Sequence, residues 1–185
     1  SDYFLQKTKQ DKDGRYSLSI SGSWDRLLRD IEDGKLTDDE FESSLPLDAR
    51  ERVEILNQID EVKRCVLDSA ISGNRIEIFR MALNLGARPS PNILSLVFAH
   101  REISLKEKDL FFKILIKNIY LDLEANDDIF LYIHEMESFV TTVPKDFRDY
   151  LVTSGELTSF REEAAKILRK KGELYEDVIE KVLFF

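Results

Sequence analysis

Apolar side chains recur along most of the chain at the three- and four-residue spacing that is typical of amphipathic helices. We expect Ser23 to cap the first helix and Gly34 to end it. Thr37 opens a second helix, since Glu40 follows three residues later as in a capping box, and a third helix is predicted between residues 47 and 59. The stripe of the first helix consists of Trp24, Leu27, Leu28 and Ile31.

Beyond residue 60 the predicted helices come in pairs, with a tight turn inside each pair and a longer loop between pairs. The first pair covers residues 62–71 and 75–85, joined by a turn at Ser72, Gly73 and Asn74. The later pairs are residues 93–99 with 106–117, 128–139 with 145–153, and 160–171 with 173–183, and residues 118–127 are predicted as a loop. Glycine (7) and proline (4) are scarce, which favours helices over turn-rich folds.

The pattern divides the chain into three parts. Residues 1–22 are predicted as a partly ordered arm, in which Tyr16, Leu18 and Ile20 alternate with serines as in a short hairpin or strand. Residues 23–60 form a helical N-terminal segment. Residues 61–185 form an array of helix pairs, and the charged final pair caps it. The predicted fold class is therefore all-α, with stacked helix pairs.

The second helices of these pairs resemble the ankyrin-repeat family. Residues 77–87 are similar to the family consensus E-V-V-K-L-L-L-E-A-G-A, and residues 109–119 and 147–155 are weaker copies. Arg80, Lys113 and Asp149 share one register at spacings of 33 and 36 residues, close to the ankyrin period of about 33. The T-P-L-H motif of the family is absent. The resemblance covers about residues 61–171 and implies a degenerate ankyrin-like solenoid; generic stacked helix pairs and a simple bundle remain open.

The resemblance also implies where a partner protein binds. In an ankyrin-like stack, the loops between repeats and the exposed faces of the first helices form a concave surface. The candidate partner-binding residues on that surface are Arg88, Asn92, His100, Arg101, Tyr120, Asp122, Glu124, Asp127, Tyr132 and Glu135.

The charge of the chain restricts the class of partner. A net charge of −9 disfavours binding to nucleic acid and to anionic membranes, while it promotes solubility and suits a basic protein partner. Cys65 is the only cysteine, so no internal disulfide is possible, which fits a cytoplasmic location. No apolar run is long enough for a membrane span. The sequence begins at Ser1 without a methionine, and we expect the natural protein to be longer.

No motif in the sequence predicts catalysis, a metal or a cofactor. His134 and Glu135 begin like a zinc-protease motif, but no second histidine follows at the required spacing. Cys65 lies within a predicted helix and is interpreted as a small buried hydrophobe. Phosphate-binding glycine loops are absent, and the acidic segments 11–14 and 122–128 lack a complete set of calcium ligands.

The sequence thus predicts a non-enzymatic protein-interaction module, part of a larger regulatory protein or of a pathogen or viral factor that acts on host proteins. One alternative is a helical enzyme or small-ligand sensor whose site lies between helices near His134, with Arg101, Tyr132 and Glu135. The other is a self-assembly domain with Trp24, Phe184 and Phe185 as exposed anchors.

Overall fold

A computed structural model describes residues 7–10, 16–18, 21–60, 62–90, 93–125, 137, 141 and 144–184. The chain forms two compact units, Ser1–Pro89 and Ser90–Phe185. The prediction of an all-helical fold is confirmed, and the described residues add one short hairpin near the N-terminus. The division between the units falls within residues 61–185, the range of the predicted array.

The first unit consists of the hairpin followed by five helices. Strand β1 (Lys7–Gln10) pairs antiparallel with β2 (Tyr16–Leu18), and the register shifts between Thr8 and Gln10. The helices are α1 (Ser21–Glu32), α2 (Asp38–Ser44), α3 (Ala49–Leu56), α4 (Val66–Ser72) and α5 (Ile76–Asn84).

Local sequence signals set several of these helix ends. The backbone N–H of Glu40 donates to Thr37 Oγ1 at 3.1 Å, and the Thr37 N–H donates to Glu40 Oε1 at 3.4 Å, so the predicted capping box is confirmed. Asp48 caps α3 in the same way, accepting from the Glu51 N–H at 3.0 Å. Gly34 has the positive φ of +70° that is typical of a residue just after a helix.

Four helices of this unit pack together: α4 contacts α5, α1 contacts α4, and α2 contacts α5. The approach of α4 to α1 is close, because a Cβ atom at Gly73 would lie 2.7 Å from the carbonyl oxygen of Ile31. Arg75 strengthens the junction. Its guanidinium donates to the carbonyls of Ile31 and Leu36 and lies 3.3 Å from the Asp38 carboxylate.

Three sequence-based expectations for this unit are wrong. Helix α1 begins at Ser21, so Ser23 lies inside the helix and is not its cap. Helix α4 begins at Val66 instead of residue 62, so Cys65 is its half-buried N-cap residue and does not lie inside the helix. Trp24 is only 1% exposed, because it belongs to the apolar stripe by which α1 joins the core. It therefore cannot act as an exposed anchor for self-assembly.

In the second unit, one helix contacts three others. The described helices are α6 (Ile93–Ala99), α7 (Leu105–Ala125), α8 (Lys145–Thr153), α9 (Glu156–Lys171) and α10 (Glu176–Leu183), with a short 3-10 turn at Glu173–Tyr175. Helix α9 contacts α7, α8 and α10, and α6 contacts α7. The ring of Phe147 on α8 stacks on Phe98 of α6 at 3.7 Å and meets Phe112 of α7 edge-on at 5.7 Å.

The loop predicted at residues 118–127 is wrong as far as the described residues reach. Helix α7 is 21 residues long and continues to Ala125. It continues because Ile119 and Leu123, both buried, extend the apolar stripe of Phe112 and Ile116 by two further turns. Within the described residues, no helix has the length and the apolar character required to cross a membrane.

Candidate functional site

The structure does not gather the predicted binding residues on one surface. Arg88 lies in the first unit, exposed, with its backbone N–H bonded to Asn57 Oδ1 at 2.7 Å. In the second unit, His100 is half-buried just after α6 and Arg101 is exposed beside it. The candidates Asn92, Asp127, Tyr132 and Glu135, together with His134, lie outside the described residues.

Three candidates that were expected in a loop lie instead on the last turns of α7. Tyr120 and Glu124 point to the same side because they are four residues apart, whereas Asp122 points away from them. Tyr120 and Asp122 are half-buried and Glu124 is exposed. Tyr120, one of the predicted residues that the structure describes, lines a cavity.

That cavity is a groove of about 380 Å³ between α7 and α9, and we call it the α7–α9 groove. Its floor is apolar, since Phe112, Ile116 and Phe160 are each at most 8% exposed. Its rim is polar, and its members are either exposed or half-buried. The rim residues are Lys113, Lys117, Tyr120, Glu156 and Ser159.

The two helices run in the same direction along the groove. Lys113, near the middle of α7, contacts Glu156 at the start of α9. Tyr120 meets Phe160 further on, and Lys171 donates to the Glu124 carbonyl at 3.3 Å near the ends of both helices. Lys117 and Ser159 therefore occupy the middle of the groove.

A cluster of charged side chains closes the first end of the groove. Lys113 Nζ lies 3.0 Å from Asp109 Oδ2 and 3.3 Å from Glu156 Oε1. The remaining carboxylate oxygens, Asp109 Oδ1 and Glu156 Oε2, are buried and accept no hydrogen bond. Burial, and then the neighbouring Asp109 carboxyl group, raise the pKa of Glu156 to about 7. Glu156 therefore takes up a proton near neutral pH.

Tyr150 joins this cluster from α8. Burial raises the pKa of its phenol, as do the charges of Asp109 and Glu156. We call Asp109, Lys113, Tyr150 and Glu156 the Lys113 cluster. It connects α7, α8 and α9 at the point where the groove begins.

The middle of the groove carries hydrogen-bond donors that have no protein partner. Within the described residues, no carboxylate lies within ion-pairing distance of Lys117, and the hydroxyls of Tyr120 and Ser159 make no hydrogen bond. Tyr120 stays protonated, because burial and the charge of Glu163 raise its pKa far above neutrality. An ammonium group and two hydroxyls are therefore available above an apolar floor.

The sequence signals for this site were present but indistinct. Asp109, Lys113 and Lys117 follow one another at four-residue intervals, as exposed charges on many helices do. Their significance depends on Glu156 and Ser159, about 40 residues away in the chain, which only the packing of α7 on α9 brings near. In the described part of the chain, no three His, Cys, Asp or Glu side chains are grouped to hold a metal ion.

Comparison with known proteins gives no relative from which a function could be transferred: no protein family matches the chain, and no similar characterised protein or solved structure is found.

Proposed function

We propose that this chain is a protein-binding module that receives a segment of its partner in the α7–α9 groove. The observation that carries the proposal is the combination of an apolar floor with unpartnered donors on the rim. Binding sites are typically concave, mainly apolar and equipped with a few placed polar groups, and a volume of about 380 Å³ lies within their usual range.

A polypeptide is favoured because the apolar surface continues beyond the groove. Leu110 and Leu121 on α7 are 40% and 53% exposed. At about 100° per residue, both lie on the same side of the helix as Lys117, next to the rim. A partner that covers the groove and this side of α7 buries more apolar area than a small molecule in the groove alone would bury.

The packing of the first unit supports a degenerate ankyrin-like stack as its architecture. The support is that α4 contacts α1 and α5 contacts α2, as in a stack of two pairs in which α1 and α2 extend the predicted array towards the N-terminus, with a close turn at Gly73. We further propose a cytoplasmic location and a role within a larger regulatory or host-targeting protein, for which the single cysteine and the absence of catalytic motifs provide the support.

The test is selection of peptides from a random display library on the intact protein, followed by affinity measurements with two variants. Ser159→Arg places a long side chain across the rim of the groove, whereas Thr158→Arg, the matched control, places it on the neighbouring exposed position of α9 that does not line the groove. We expect Ser159→Arg to weaken binding of the selected peptides at least about tenfold and Thr158→Arg to leave it unchanged. Failure to select any peptide, or equal effects of both variants, contradicts the proposal.

A small apolar ligand is the second candidate, and the volume of the groove favours it. A thermal-shift screen of fragment-sized molecules distinguishes the two. Stabilisation that Ser159→Arg abolishes, in the absence of any selected peptide, favours the small-ligand function.

A further inference from the structure

The donors and acceptors around the α7–α9 groove are unequal in number and in availability. Among the described residues, Glu156 is the only carboxylate that lines it, and it already lies 3.3 Å from Lys113. Lys117, Tyr120 and Ser159 have no such partner within the described residues. The groove can therefore still donate hydrogen bonds to a ligand and pair an ammonium group with a negative charge.

We propose that the occupant of the groove is an acidic peptide segment, in which an Asp or Glu carboxylate pairs with Lys117 while a neighbouring apolar side chain contacts Phe112, Ile116 and Phe160. This inference rests on the proposed protein-binding function and specifies the chemistry of the partner. The Ser159 hydroxyl, opposite Lys117 in the middle of the groove, is a second donor to the same carboxylate.

The charges near the groove leave Lys117 available for this pairing. Asp109 and Glu156 both lie within ion-pairing distance of Lys113, so the Lys113 cluster carries no net charge when Glu156 is protonated and one negative charge when it is not. At the Tyr120 end of the groove, the negative charge of Glu163 repels an acidic ligand, and the same charge raises the pKa of Tyr120. Glu163 is exposed and lies one turn beyond Ser159, so its effect is screened and the carboxylate is expected at Lys117 rather than next to Tyr120.

The net charge of the whole chain, −9, favours a basic partner instead. That charge is spread over both units, and at physiological ionic strength its field decays over about 8 Å. A carboxylate in the groove contacts Lys117 directly, well within that distance. Short-range pairing in the groove is therefore expected to outweigh the general repulsion, most clearly at moderate or high salt.

The experiment compares three fluorescent peptides that share the apolar residues of a selected binder and differ only in the flanking residues, which are Glu, Gln or Lys. Anisotropy titrations use the intact protein at physiological ionic strength. We expect the Glu peptide to bind about fivefold more tightly than the Gln peptide, as for a charge-assisted contact at a partly exposed rim, and the Lys peptide to bind most weakly.

Two variants connect that preference to the groove. Lys117→Glu is expected to weaken binding of the Glu peptide about tenfold or more and to reverse the order of the three peptides. Lys106→Glu is the matched control, since Lys106 is an exposed lysine of the same helix that does not line the groove.

Tightest binding of the Lys peptide, or equal effects of Lys117→Glu and Lys106→Glu, overturns the inference. Equal binding of all three peptides that Ser159→Arg abolishes also overturns it, while the protein-binding function stands. A failed selection, which leaves no binder from which to design the three peptides, removes both the inference and the protein-binding function.

Discussion

Replacing Glu156 by Gln is expected to stabilise the second unit at neutral and alkaline pH. In the folded protein the pKa of Glu156 is raised from 4.5 to about 7, mainly by burial and then by the neighbouring Asp109 carboxyl group. The folded state therefore holds this proton more tightly than the unfolded chain. The resulting stability is fully present below about pH 4.5 and is lost as the pH rises through about 7.

The size of the effect follows from that shift. A change from 4.5 to about 7 corresponds to roughly 3 kcal/mol at about 1.4 kcal/mol per pKa unit. Gln reproduces the protonated carboxyl group, because its amide can donate to Asp109 Oδ1 and accept from Lys113. It gives up part of the attraction to the Lys113 ammonium, which is small because that side chain is 59% exposed. We expect Glu156→Gln to increase the free energy of unfolding by roughly 2 kcal/mol above pH 7 and to leave it unchanged near pH 4.

The assay is urea unfolding followed by far-UV circular dichroism at several pH values. Trp24 is the only tryptophan and lies in the first unit, so its fluorescence provides an internal reference that the substitution should leave unchanged. Glu162→Gln, at an exposed position of the same helix, is the matched control. The reasoning is refuted if Glu156→Gln has the pH dependence of the wild type, or if it is less stable at pH 8 by a similar amount.

Three further predictions concern the packing of the first unit. Gly73→Ala should destabilise the first unit by about 1–3 kcal/mol, because the new Cβ would lie 2.7 Å from a backbone oxygen. Thermal unfolding followed by Trp24 fluorescence measures this loss. The control, Gly155→Ala, meets nothing within 4 Å and lies in the other unit, so it should leave the Trp24 transition in place. Thr37→Ala removes the capping box and should lower the free energy of unfolding by about 1 kcal/mol in the same assay. A loss smaller than the error of the measurement would contradict the role of the cap. Cys65 should react slowly with a disulfide reagent at pH 8 and rapidly in urea, because burial, followed by the charge of Asp68, raises its pKa to about 11; equal rates would show that the thiol is accessible.

The sequence predicted best those features that depend on neighbouring residues. The capping box at Thr37 and the end of α1 at Gly34 are local arrangements of backbone and side chain, and both are present. The turn at Gly73 and Asn74 also lies where the pattern placed it, with Asn74 at a φ of +52°. The stripe of α1 was correctly read as one apolar face, but that same burial contradicts an exposed role for Trp24.

The long-range features could not be predicted in this way. The expected loop after residue 117 came from extending the spacing of one repeat-like segment to the next, although Ile119 and Leu123 already continued the apolar stripe of α7. The α7–α9 groove depends on which helix faces which. Asp109 and Glu156 look like ordinary solvated charges until α7 packs on α9 and buries part of both carboxyl groups.

The most direct test of the account is an NMR titration of the isotope-labelled intact protein with a selected peptide. Binding in the α7–α9 groove predicts chemical-shift changes concentrated at Ile116, Lys117, Tyr120, Ser159 and Phe160, with the resonances of α1, α2, α4 and α5 unaffected. Changes confined to the first unit, or to the opposite side of α7 around Asp122, would contradict the claim that this groove is the binding site.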